Sequence, residues 1–106
     1  MKTYELKISE TGRANLRDTP HLFNIIRETF PVLSDIREYL LERYGRIPNR
    51  RNRVYIDTES GQAQEVGFTY SYWNNDISHP GPAWFQTDWV EIYNVNKTPV
   101  TNHWLA

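Results

Sequence analysis

The sequence predicts an α+β domain with two N-terminal helices packed on a three- to four-stranded antiparallel sheet, in the order β-α-α-β-β-β. Three observations predict it. Tyr4, Leu6 and Ile8 alternate with Glu5, Lys7 and Ser9, the period of a half-buried strand. Between Asp18 and Gly45 the apolar residues fall at helical spacing, punctuated by Pro31. From Val54 onward the period returns to two. The 106 residues suit one domain, 1–106, without internal repeat or linker.

The N-terminal strand leads into a connection, Glu10 to Asp18, that holds Gly12 and Asn15. Asp18-Thr19-Pro20 reads as a helix start: a capping side chain, then a proline whose missing N–H costs nothing in the first turn. Leu22, Phe23, Ile25, Ile26 and Phe30 give that helix a broad apolar face, and Pro31 ends it. Ser34-Asp35 supplies a cap and an acidic first turn for a second helix. Leu33, Ile36, Leu40 and Tyr44 form its apolar stripe, and Gly45 offers a left-handed C-terminal residue.

Residues 46–53 (RIPNRRNR) form a basic connector, followed by a strand at Val54–Asp57 and a turn at 58–61. Gln62–Trp73 predicts the next strand, with Val66, Phe68, Tyr70 and Tyr72 on one face. Gly67 lies opposite them and marks a bulge or a close contact. A loop rich in Asn, Asp, Ser, Gly and Pro spans 74–82. Trp84–Val95 predicts a strand with Val90 and Ile92 on one face and Phe85, Trp89 and Tyr93 on the other. With both faces apolar, the strand is expected to be central or covered on both faces.

Composition narrows the function. The absence of cysteine excludes disulfides, thiolate metal sites and cysteine nucleophiles. No apolar run approaches the ~20 residues of a membrane-spanning helix, and the alternating N-terminus is not that of a signal peptide, so a cytoplasmic protein is expected. The net charge of −1 argues against a bulk polyanion binder, although Arg37–Arg53 holds six Arg against two Glu. Aromatic residues make up 14% of the chain, enough to make an aromatic contact surface the leading idea.

The polar-aromatic segment 70–89 (YSYWNNDISHPGPAWFQTDW) carries the candidate partner surface: Trp73, Asn75, Asp76, His79, Trp84, Gln86, Asp88 and Trp89. Aromatics beside amides and carboxylates stack on a sugar, a base or a partner's side chain. The plainer reading of the same residues is a wide hairpin whose Asn and Asp make turns and whose tryptophans cover the core. The alternative site is a phosphate or nucleic-acid patch formed by Arg43, Arg46, Arg50, Arg51 and Arg53, whose planar forks suit phosphate. A solvated connector is the plainer reading of that cluster.

Catalysis has weak support. Asp76 and His79, with Asp88 or His103, lack a diagnostic metal-ligand spacing, and no nucleophile elbow, phosphate loop or dinucleotide fingerprint is present. No cofactor or metal is expected. In size, lack of cysteine and lack of catalytic signature the chain resembles the small accessory proteins carried by phages, plasmids and bacterial genomes. The expected function is therefore a non-enzymatic protein-interaction module. Its partner is another protein, with self-association and nucleic acid as the further options and no membrane.

Overall fold

The computed structural model of the chain describes residues 3–47, 51–57, 64–74 and 84–96, with backbone only for 51–57 and 64–66. The elements in order are β1 (Tyr4–Arg13), β2 (His21–Phe30), α1 (Leu33–Tyr44), β3 (Arg51–Asp57), β4 (Gln64–Asn74) and β5 (Trp84–Tyr93). All five strands join one antiparallel sheet in the order β2-β1-β5-β4-β3.

The expected order β-α-α-β-β-β is therefore wrong: the described chain has one helix, and residues 21–30 form a strand instead of the first helix. The physical reason lies in a bulge. β1 and β2 pair regularly from Tyr4↔Phe30 to Glu10↔Asn24, then slip so that Thr11 faces Leu22 and Phe23 becomes the extra residue. The slip breaks the period of two, so Leu22, Ile25, Ile26 and Phe30 mimic helical spacing. Strand propensity points the other way, because Ile25, Ile26, Thr29 and Phe30 fit a pleated surface. The anticipated connection from Glu10 is also shorter, since β1 runs on to Arg13.

Other expectations survive with corrections. Helix α1 begins at Leu33, and its N-cap is Val32, which makes no side-chain capping bond; Ser34 lies inside the first turn. Gly45 keeps right-handed angles and donates its N–H to the Leu41 carbonyl at 2.8 Å, so the left-handed ending is not used. The strand pairing of β1 with β5 makes β5 the middle of five strands. No described helix is long and apolar enough to cross a membrane.

One face of the sheet meets the helix. Ile36, Leu40 and Tyr44, four residues apart and hence on one stripe, pack on Leu6 and Ile8 of β1, Phe68, Tyr70 and Tyr72 of β4, and Val90 and Ile92 of β5. The twelve-residue helix is ~18 Å long, whereas a ten-residue strand spans ~33 Å. It therefore covers only part of the sheet. Near its C-terminal end the face turns polar, and on the other side of the sheet no described element packs at all.

Candidate functional site: the helix-free face of the sheet

Two polar or aromatic constellations come out of this architecture, one on each face. The first lies under the end of α1. Asp88 is fully buried, with a relative exposure of 0%, and Gln86 is at 2%. Tyr44 and Tyr72 donate their hydroxyls to Asp88 Oδ2 at 2.7 and 3.0 Å, and Gln86 Nε2 donates to Asp88 Oδ1 at 2.8 Å. The same Gln86 amide also donates to Glu10 Oε2 at 2.8 Å, while its carbonyl accepts from Asn74. Asn24 donates to Glu10 Oε1 at 2.8 Å. Arg43 closes the circuit, 3.1 Å from Glu10 Oε2 and donating from Nε to the Tyr44 hydroxyl at 3.2 Å.

Two carboxylates thus share the Gln86 amide, and one of them, Glu10, also pairs with the partly exposed Arg43 guanidinium. Burial raises the pKa of Asp88 above the usual carboxylate range, reinforced by the nearby charge of Glu10, although hydrogen bonds from Gln86, Tyr44 and Tyr72 pull the other way. Both tyrosines are pushed above their ordinary range by burial and then by the charge of Asp88. For Arg43, burial works against the charge, but the bond to Tyr44 and the charges around it win and hold the guanidinium protonated. Each of these polar side chains is engaged by its neighbours. The constellation fastens the helix terminus to four strands, and it is a structural clamp.

This changes the standing of three residues. Gln86 and Asp88, read in the sequence as contact residues, point into the clamp, and Arg43, read as part of the phosphate patch, is spent inside it. Trp84 sits on the same side of the sheet, its ring 4.9 Å from that of Phe23 and against Gly12, where an added Cβ would lie 3.4 Å from the indole. Arg46 is exposed at the end of α1. Arg51 and Arg53 fall in β3, at register positions opposite Ser71 and Thr69. Asn75, Asp76, His79 and Arg50 lie outside the described residues.

The second constellation is the helix-free face. Strand pairing arranges it in rows. Arg13, Phe85 and Trp73 form one row; Leu22, Thr11, Thr87 and Ser71 the next; Ile25, Ser9, Trp89 and Thr69 the middle one. Beyond these come Arg27, Lys7 and Glu91, then Thr29, Glu5 and Tyr93. Trp73 and Phe85 meet edge to face with ring centres 5.3 Å apart, and the Arg13 guanidinium lies 5.6 Å from the Phe85 ring. In the hydroxyl row Thr11 Oγ1 donates to the Thr87 carbonyl at 2.7 Å, and the Ser71 and Thr87 hydroxyls are 3.2 Å apart.

Gly67 explains how Trp89 lies. A Cβ on this residue would stand 2.5 Å from Trp89 Cζ2 and 2.8 Å from the Val90 carbonyl oxygen. The indole therefore rests directly on the β4 backbone, held flat to the sheet. β3 and β4 also slip register beside Gly67, so both sequence readings of this glycine apply. Trp73, Leu22 and Ile25 are 49%, 57% and 44% exposed, too much apolar surface on one face to be incidental. The charges at the other end neutralise one another: Lys7 lies 3.9 Å from Glu91 and Arg27 3.1 Å from Glu5. The Tyr93 hydroxyl bonds Glu91, and burial together with that carboxylate pushes it up to about 12.

Compared with models of protein families, with characterised proteins and with solved structures, the chain matches none. The geometry alone carries the functional reading. Of the residues singled out in the sequence, Trp73 and Trp89 come together on the helix-free face, and Arg51 and Arg53 hold register positions of that same face on β3. Sequence reasoning left out Leu22, Ile25, Arg13, Phe85 and Tyr93. The period-two pattern of Phe85, Trp89 and Tyr93 signalled their shared face, whereas the helical misreading of 21–30 hid Leu22 and Ile25. For the clamp, the available signal was Glu10, which continues the inward phase of Leu6 and Ile8.

Proposed function

We propose that this chain is a non-enzymatic protein-interaction module whose contact surface is the helix-free face of its sheet. One observation carries the reading: Trp73, Phe85 and Trp89 share a face with exposed Leu22 and Ile25, and no described element covers it. Aromatics held rigidly lose little conformational entropy on binding, and clusters of them dominate interface energetics. The Gly67 contact that fixes Trp89 supplies that rigidity.

A nucleic acid is the less favoured occupant. Stacking platforms for single strands need a positive groove along the backbone. Among the described side chains of this face, two of the three cations are neutralised by carboxylates of the same face and the third, Arg13, is drawn over Phe85, while Arg51 and Arg53 hold register positions of the same face on the edge strand β3. The phosphate alternative loses Arg43 to the clamp and retains Arg46, Arg50, Arg51 and Arg53.

The test is capture from source-cell lysate with a tagged chain, nuclease-treated and untreated, comparing wild type with Trp73→Ala, Trp89→Ala and the helix-surface variant Leu41→Ala. A protein retained after nuclease by wild type and Leu41→Ala, and lost with both tryptophan variants, supports the proposal. Equal capture by all four rejects this face. Capture that disappears on nuclease treatment, with strong salt dependence, moves the function to the arginine cluster.

A further inference from the structure

We propose that the partner of the helix-free face is a second copy of this chain, the two sheets packing face to face about a two-fold axis that crosses the Ser9–Trp89 row. This rests on the protein-binding reading above and names the partner. The first support is area. Four strands, β2, β1, β5 and β4, at ~4.8 Å spacing and ~33 Å length, present about 600 Å² per copy before side-chain relief is counted. The pair buries about 1,200 Å² or more, which reaches the range of stable, specific interfaces.

The second support is self-complementarity. A two-fold contact is isologous, so whatever residue i meets in residue j, j meets in i. An axis lying across the strands over Ser9 and Trp89 keeps each strand above its own copy and reverses the rows. Trp89 then meets Trp89 of the other copy, and Phe85 meets Tyr93. The charged row of Arg27, Lys7 and Glu91 falls on the row of Leu22, Thr11 and Thr87, so that the two hydroxyls can hydrogen-bond Lys7 and Glu91 and Leu22 meets the apolar stem of Arg27. At the ends Arg13 falls on Glu5, opposite in sign, twice per dimer. Each of these correspondences follows from the register of β1 with β5, in which Ser9↔Trp89 is the midpoint of both Arg13↔Phe85 and Glu5↔Tyr93.

Arg13 is suited to that role. Its Nε is shielded from solvent with no hydrogen-bond partner among the described residues, and its only bond is a long one from Nη1 to the Asp18 carbonyl, 3.4 Å. Sheets packed face to face cross at about 30°. At four residues from the axis, about 13 Å, that angle displaces a side chain by about 7 Å. An arginine spans this distance. The same axis laid along the strands instead would set β1 over β4, where no acidic residue of the described face awaits Arg13.

The experiment is sedimentation equilibrium on the full chain, on Arg13→Glu, on Glu5→Arg, and on an equimolar mixture of the two variants. Wild type should have the mass of two chains at micromolar concentration. Each variant alone brings like charges together at both ends and should run as one chain, a loss of at least tenfold in dimer affinity. The mixture restores both opposite-charge contacts and should return to the mass of two chains, an outcome that requires both variants to be folded. A wild type monomeric up to about 1 mM, weaker than the ~4 kcal/mol of a millimolar complex, overturns the proposal. So does a wild-type dimer that either variant leaves intact, or a mixture that stays monomeric. A monomeric wild type that still captures a foreign protein through Trp73 and Trp89 overturns the dimer alone and leaves the proposed function standing.

Discussion

Replacing Asp88 with alanine should remove a large part of the stability of this fold. Three donors converge on that carboxylate: the hydroxyls of Tyr44 and Tyr72 and the Nε2 of Gln86, all within 3.0 Å. In the variant each keeps its burial and loses its acceptor, at about 1–3 kcal/mol per orphaned donor. Relief of the carboxylate's own desolvation offsets part of this, so a net loss of ~3 kcal/mol is expected, the lower end of what breaking a buried ionic network costs. For a domain whose total stability is about 5–15 kcal/mol that is a major fraction. With a urea m-value of about 1.5 kcal/mol/M, the unfolding midpoint should fall by ~2 M.

Asp88→Asn separates hydrogen bonding from volume. Its carbonyl oxygen still accepts from both tyrosines, but its NH2 faces the NH2 of Gln86, donor against donor. Turning Gln86 over does not help, because its oxygen would then face Glu10. About half the alanine penalty is expected, ~1.5 kcal/mol. Urea unfolding followed by far-UV dichroism measures both. If Asp88→Ala lies within about 1 kcal/mol of wild type, or Asp88→Asn is the worse of the two, the clamp does not hold the helix as argued.

The remaining expectations concern pH, the glycine seat and the two faces. Because burial raises the Asp88 pKa above 3.8, the folded chain holds this proton over a range where the unfolded chain has lost it. Stability from this group therefore falls as pH rises above the ordinary carboxylate value, and the wild-type advantage over Asp88→Asn should shrink with rising pH in urea titrations; a constant difference would show that burial does not govern this carboxyl. Gly67→Ala should cost about 1–3 kcal/mol and shift the tryptophan emission, since the new methyl group cannot share space with the Trp89 ring and the Val90 carbonyl; unchanged emission and stability would mean that the indole does not rest there. Leu40→Ala, in the helix stripe, should destabilise by about 2–5 kcal/mol, measured the same way, and a loss below 1 kcal/mol would contradict the described core. Trp73→Ala, half exposed but paired with Phe85, should lower stability by only about 0.5–1.5 kcal/mol by urea unfolding, so that the variant stays folded and a complete loss of binding belongs to the surface.

The sequence discloses the sheet's second half and conceals its edge. Val90 and Ile92 against Phe85, Trp89 and Tyr93 is a clean period of two, and β5 takes the central position that its two apolar faces require. In β2 the bulge at Phe23 resets the phase, and a proline at each end of a ten-residue run reads equally as helix punctuation. Pairing with β1, a long-range interaction, decides the matter and leaves no local mark. The site follows the same division. Trp73 and Trp89 are found from residue type, but the face they share with Leu22 and Ile25 exists only once β2 is a strand. Asp88 and Gln86 look like surface polar residues because polarity in a short window does not report burial. Their partners Glu10, Tyr44 and Tyr72 come from three other elements.

The most direct measurement is hydroxyl-radical footprinting of the folded chain, free and bound, at residue resolution. The bound form is the complex captured from lysate or, for the self-association, the concentrated protein against a dilute control. The account predicts protection on binding at Trp73, Phe85, Trp89, Leu22 and Ile25, with Leu41 on the outer side of the helix unchanged. Protection at Leu41 with Trp73 and Trp89 left reactive would contradict it and move the contact surface to the helix.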